Sequence, residues 1–443
     1  MNHGKVIFWS ITVALGGFLF GFDTAVISGA ESTIQKLWGL SEAMTGSMVA
    51  SALWGTIIGA LLGGMPADKF GRKRTLFWIA VLYFISAAGS ALSQSVWQLM
   101  FFRFIGGLGV GASSVVAPMY ISEISPTEQR GRLTALFQFN IVLGILIAYF
   151  SNYLIGGGGD GNWRWMLGVE AFPAFAFVIM IGMVPRSPRW LVVKKGLIDE
   201  ARKVLDIINP GTAEESLRAI QESHIEGPKV GLKQFFSKRY TVVILLAFLI
   251  AMFNQLSGIN AVIYYAPRIF ASTGMGVDSA LLSTTGIGLI NLIFTLIGMS
   301  LIDKAGRKFL MYIGSFGYII SLSVVSYAFY SGMAEGSYLV PVMLFLFIAA
   351  HAIGQGAVIW VFISEIFPND VRSYGNSLGS GTHWVFAALI ANVFPFFEKT
   401  FGGGPIFAFF AFMMVLQLLW VWKMMPETKN VSLEELEKQL IKE

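Results

Sequence analysis

Asp23, Arg103 and Glu170 each interrupt a stretch of apolar residues, and a charge in such a place needs a physical reason. Moving Asp or Arg to the centre of a hydrocarbon layer costs about 2.5–3.5 kcal/mol on insertion scales, so each is expected to face a protein interior with a partner. A carboxylate there can take up and release a proton, and a guanidinium opposite it registers the change as an attraction lost or regained. A static structural pair is the alternative reading. A second set consists of amides: Gln138, Asn254, Gln255, Asn260 and Asn291 all lie within apolar runs. An amide donates and accepts at once, which suits a ligand rich in hydroxyls and equally suits hydrogen bonds across packed helices. Phe20, Tyr264, Trp360, His383 and Trp384 are among the rings on such runs, where an aromatic residue is more often core or interface belt.

Long apolar helices must position these groups. The chain is 55% hydrophobic and 13% charged, with mean hydropathy +0.67, whereas a soluble domain carries about twice that charge. Twelve apolar stretches of membrane-spanning length recur, at 6–28, 46–67, 76–94, 96–120, 133–154, 165–184, 241–267, 280–302, 309–330, 338–362, 374–397 and 401–424. The first is too long for the apolar region of a cleavable leader and ends in no small-residue cleavage site before Asp23. Of the 31 Lys and Arg residues, 26 lie in the even-numbered loops and the two tails. By the positive-inside rule both tails are expected on the cytoplasmic side. The net charge of +5 then reflects topology rather than nucleic-acid binding. Cysteine is absent, which removes disulfides and thiol chemistry.

The chain repeats itself. Asp68-Lys69-Phe70-Gly71-Arg72-Lys73 returns as Asp303-Lys304-Ala305-Gly306-Arg307-Lys308, 235 positions later. Ile121-Ser122-Glu123-Ile124 through Arg130 returns as Ile363-Ser364-Glu365-Ile366 through Arg372, shifted by 242, and Pro185 to Arg189 has a weaker echo in Pro426 to Asn430, shifted by 241. Three pairs at nearly one offset predict two parallel halves of six spans, a plan in which a ligand site lies near midplane between repeats. The expected fold is an all-α membrane protein of twelve transmembrane helices in two pseudo-symmetric halves. The expected divisions are 1–190 for the first half, 191–239 for a cytoplasmic linker, 240–425 for the second half and 426–443 for a tail. Within the linker, 198–208 and 213–223 have the aliphatic spacing of amphipathic helices. Gly55, Gly59 and Gly63, with Gly107 and Gly111, have the spacing that lets membrane helices approach closely.

These motifs together resemble the sugar porter family of the major facilitator superfamily, whose fold is the one just described. Gly64, Asp68, Lys69, Gly71, Arg72 and Lys73 match the family's first cytoplasmic turn, and Pro426-Glu427-Thr428-Lys429 matches its motif after the last span. Pro185-Arg186-Ser187-Pro188-Arg189 matches the motif after span six, except that Arg186 stands where the family usually has glutamate. The resemblance implies that Asp23 takes up and releases a proton, that Arg103 favours its ionised form and that Glu170 stands in the same set, as in bacterial proton-coupled xylose porters. It also implies sugar contacts at Phe20, Gln138, Asn254, Gln255, Asn260, Tyr264, Asn291, Trp360, His383 and Trp384. Asn254 and Asn260 would diverge on an unbroken helix, so convergence of the span-seven amides requires the helix to loosen, and Gly258 makes that feasible. Asn254, Ile145 and His383 depart from the family pattern around one pocket, which leaves another hexose or a cyclitol open as the ligand.

Asp68, Arg72, Glu123 and Arg130, with their counterparts Asp303, Arg307, Glu365 and Arg372, are expected to form ion pairs of a cytoplasmic gate. The leading expectation is a secondary transporter that imports a monosaccharide with protons; a facilitative porter or a sugar sensor on the same fold are the alternatives. An enzyme is disfavoured, since no metal-ligand cluster or nucleophile–base set is evident, and the P-loop of an ATP-driven pump is missing. No cofactor or metal is expected. The expected partners are sugar, protons and membrane lipid, with no nucleic acid, for a monomer in a bacterial inner membrane.

Overall fold

The computed structural model describes residues 3–126, 129–156, 159, 161–222, 231–368, 370–431 and 433–441. Thr127, Glu128 and Asn369 of the second repeat, and the last residue of the 213–223 linker segment, lie outside the described residues. Among the described residues, twelve helices are long and apolar enough to cross a membrane. Spans one to six are Gly4–Trp38, Glu42–Leu62, Arg72–Leu92, Val96–Ile124, Arg130–Gly156 and Asn162–Met183. Spans seven to twelve are Lys238–Ala271, Val277–Ala305, Arg307–Ser331, Leu339–Ile366, Arg372–Phe401 and Gly403–Lys423. No strand is present among the described residues. Span one runs ten residues beyond the expected end at position 28, because Glu31 is buried in its last third rather than marking a loop.

Contacts divide the chain into two units. The first comprises Met1–Val26, Ser51–Ala148 and Trp163–Gly227; the second comprises Ile27–Ala50, Tyr149–Asn162 and Pro228–Glu443. In the first unit, spans two and four meet along their glycines. A Cβ on Gly55 or Gly59 would collide with the carbonyls of Phe104 or Leu108, and one on Gly107 or Gly111 with those of Ala52 or Thr56. Backbones this close gain dispersion contacts that a larger residue would forbid, and lipid supplies no hydrophobic drive to replace them. Of the linker helices, Ile198–Ile208 buries Ala201, Val204, Leu205 and Ile208, so its aliphatic stripe packs while its charges stay wet. Val204 and Ile208 join the core of the first unit; Ala201 and Leu205 join a smaller cluster with Trp190 and Leu217.

Three spans are interrupted, each at an identifiable residue. Span six breaks between Asn162–Gly168 and Ala171–Met180. Pro173 explains this, since its ring excludes an i−4 bond and crowds the carbonyl of Val169. Span seven breaks between Thr241–Leu256 and Ile259–Ala271, where Gly258 has φ +86°. Span ten breaks at Gly354, whose Cβ would lie 2.8 Å from Gly314 Cα.

Candidate functional site

Three ionisable residues are buried together in the first unit. Asp23 of span one, Arg103 of span four and Glu170 at the span-six break are all under 5% exposed. Arg103 Nη1 stands 3.7 Å from Asp23 Oδ1, a loose pair rather than a bidentate clasp. Glu170 is within electrostatic reach of both. Arg103 Nε and Nη2 and Glu170 Oε1 find no hydrogen-bond partner among the described residues. Gly106 keeps the approach open: a Cβ there would lie 3.4 Å from Asp23 Oδ1 and would strike Ser86 Oγ. Such a set has unused hydrogen-bonding capacity that a proton or a rearranged partner can use. Phe20 and Gln138 belong to the same part of the chain and are half-buried; Gln138 bonds to no described residue.

In the second unit the break at Gly258 turns the span-seven amides toward one another. Gln255 Nε2 donates to Asn254 Oδ1 at 2.9 Å, and Asn260 Nδ2 donates to Gln255 Oε1 at 2.9 Å. Gln255 Nε2 also lies 3.2 and 3.3 Å from the two ring nitrogens of His383. Trp360 and Trp384 flank that imidazole, with ring centroids 5.0 and 4.8 Å away. Asn254, Gln255, Asn260, Asn291, Tyr264 and Trp384 are buried, while Trp360 keeps 39% exposure. Asn291 stands apart in span eight, where its Oδ1 accepts from Thr295 at 3.3 Å. His351 is engaged elsewhere, 2.6 Å from the Tyr318 hydroxyl. The amide–imidazole cluster offers donors, acceptors and aromatic faces together, as recognition of a polyhydroxylated ring requires.

The repeated charged turns make matching ion clusters, one in each unit. Arg72 holds Glu123 through two nitrogens at 3.0 Å and Asp68 at 2.9 Å, and donates to the Ala67 carbonyl. Arg307 holds Glu365 at 2.7 Å and Asp303 at 3.2 Å, and donates to the Ile302 carbonyl. Ser187 and Thr428 occupy equivalent places and donate to Glu123 and Glu365. Arg130 and Arg372 form no ion pair among the described residues; each instead donates to a nearby carbonyl, of Ser122 and Phe367.

One cluster escaped the sequence reading. Arg268 of span seven lies 3.5 Å from Glu31, 2.5 Å from Glu42 and 2.6 Å from Glu398, and donates to Gln35 at 3.0 Å. The signal was the i, i+4 spacing of Glu31 and Gln35 on what the polarity of 31–36 disguised as a loop.

A twelve-helix, duplicated chain with buried ionisable and amide clusters is a multi-pass membrane transporter by architecture. The family described as "Sugar (and other) transporter" matches residues 9–440. The chain is 40% identical to a D-xylose transporter of Levilactobacillus brevis, over 99% of this chain and 96% of that protein. It is 39% identical to an arabinose-proton symporter of Bacillus subtilis (100% and 96%) and 37% identical to a D-xylose-proton symporter of Escherichia coli (98% and 96%). Among solved structures, the inward open xylose transporter of Escherichia coli aligns with TM-score 0.86 at 35% identity, covering 97% of this chain and 99% of that one. This chain belongs to the sugar transporter family, within the major facilitator fold.

Proposed function

We propose that this chain imports a monosaccharide, a hexose or pentose, together with protons, by alternating access. The carrying observation is the buried Asp23–Arg103–Glu170 group, in a chain whose relatives include named proton symporters of xylose and arabinose. Proton uptake by Asp23 neutralises the carboxylate facing Arg103 and removes their attraction, which frees the helices to rearrange. The Gln255 cluster takes the sugar: its amide–amide bonds are exchanged for bonds to hydroxyls, while Trp360 covers the weakly apolar ring face. Asn291, in the same unit, is a further sugar contact. Asn254 and His383 set the preference and turn it away from glucose and xylose, toward another hexose or a cyclitol. The proton gradient is the driving force, without a cofactor. The protein acts as a monomer in a bacterial inner membrane, with both termini in the cytoplasm.

The test is uptake of a sugar panel by proteoliposomes with and without an inward proton gradient. Accumulation above equilibrium only with the gradient is the expected result. Equilibration indifferent to the gradient would make the protein a facilitator and refute symport.

A further inference from the structure

Spans seven and ten carry most of the candidate sugar contacts, and both are broken, span seven between Leu256 and Ile259 and span ten at Gly354. A break removes intrahelical hydrogen bonds, so the angle between the two segments is set by what packs against it. That angle matters here, because Gln255 lies just before the first break and Trp360 lies on the segment that begins at Gln355. One face of span nine meets both breaks. Gly314 permits the closest approach, since a Cβ on it would lie 3.0 Å from Gly354 Cα. Ser315 and Tyr318, on the same face, are fully buried.

Tyr318 reaches both breaks at once. Its hydroxyl lies 2.6 Å from Nδ1 of His351, in the last turn of span ten before Gly354. The same hydroxyl is within hydrogen-bonding reach of Ser257. Ser257 Oγ in turn donates to the Asn254 carbonyl at 2.6 Å and accepts from the Ile259 N–H at 3.3 Å, across the span-seven break. Ser315 holds the other side of the span-ten break through span twelve. It accepts from Gln417 Nε2 at 2.8 Å, and Gln417 Oε1 accepts from Gln355. Both glutamines are fully buried, and Gln355 Oε1 has no partner among the described residues. Buried polar groups destabilise unless each answers another, so a polar seam here performs a task that apolar packing would not. Among the described residues, neither Tyr318 nor Gln417 bonds to Gln255, Asn260 or His383.

We propose, taking the amide–imidazole cluster as the sugar site, that Tyr318 is a positioning residue for it. From span nine its hydroxyl fixes the angles at the breaks of spans seven and ten, and so the placement of Gln255 and Trp360 around one sugar. Disorder in the angle between two segments subtracts from the affinity of a ligand held by both. Discrimination among sugars that differ in one hydroxyl depends on the same angle, since each hydroxyl needs its own donor or acceptor in register.

Tyr318→Phe keeps the ring and removes the hydroxyl, leaving His351 Nδ1 without that partner. The full-length protein is assayed by equilibrium binding of a sugar panel and by thermal unfolding. Sugar affinity of the variant should fall about tenfold, the loss that one unsatisfied buried group produces, and the differences among sugars in the panel should narrow. Ser326→Ala removes another hydrogen bond of span nine, to the Gly404 carbonyl away from both breaks, and should lower Tm while leaving affinity unchanged. Adding His351→Leu to Tyr318→Phe removes the orphaned partner, so Tm should recover while affinity stays low and the panel stays narrowed. Affinity that recovers together with Tm would reduce Tyr318 to a stabilising residue. Unchanged affinity and sugar ranking in Tyr318→Phe, with wild type binding sugar, would overturn the positioning role and leave the sugar site standing. Absence of binding by wild type to every sugar in the panel would instead overturn the sugar site itself, and the positioning role with it.

Discussion

Asp23→Asn keeps the size and burial of the side chain and removes its capacity to carry charge. Two consequences follow, of different magnitude. A pH gradient of one unit is worth about 1.4 kcal/mol per proton, or about tenfold accumulation of sugar for each proton coupled. A variant unable to exchange the proton should accumulate no sugar above equilibrium, yet still exchange labelled for unlabelled sugar, because the amide cluster around Gln255 is intact. The second consequence is structural. Removing one member of a buried ion pair costs about 3–5 kcal/mol where nothing compensates. Here the pair is loose at 3.7 Å and Glu170 stays within electrostatic reach of Arg103, so the loss should lie below that range. The assay is pH-driven accumulation and equilibrium exchange in proteoliposomes, with thermal unfolding of the same preparation. Accumulation at the wild-type level would refute the coupling role, and loss of exchange together with accumulation would reduce Asp23 to a structural residue.

Gln255→Leu removes the hub of the amide–imidazole cluster and leaves Asn254 Oδ1 and Asn260 Nδ2 without that partner. At about 1–3 kcal/mol per unsatisfied group, sugar affinity should fall tenfold or more by equilibrium binding, and unchanged affinity would remove Gln255 from the site. Gly258→Ala forces an L residue to φ +86° and sets a Cβ 2.5 Å from the Phe410 ring. The backbone part alone costs about 1–2 kcal/mol, so adding Phe410→Ala should recover only the steric part of a lowered Tm. Arg268→Gln leaves Glu31, Glu42 and Glu398 facing one another, and Tm should drop, with partial recovery on adding Glu398→Gln; an unchanged Tm would show that Arg268 does not hold the cluster together.

Why some of this was legible in the sequence and some was not can be seen residue by residue. Asp23 and Arg103 stood out because water-free surroundings make an isolated charge costly, and their mutual approach follows from that cost. The break at Gly258 was equally readable, since Asn254 and Asn260 diverge on any straight helix. Glu31 was missed because the sequence 31–36 looks like a loop, and only Arg268, far away along the chain, provides the charge that lets Glu31 stay buried. The arrangement of Arg130 and Arg372 was also out of reach. Each sits next to a helix end whose free carbonyl competes with any carboxylate, and that competition depends on local distances.

The sequence by itself determined the twelve spans, the duplication and the transporter architecture, because apolar length and repeated turns are local properties that a membrane reads directly. It also determined that Arg186 replaces an acid. Only the tertiary structure decided what that replacement means. Glu427 reaches the start of span nine across more than a hundred residues, and the equivalent segment at span three brings Arg186 and Lys195 instead of a carboxylate. Hydrogen-bond donors at a helix start exist in every helix, but what answers them is set by which distant segment folds over them.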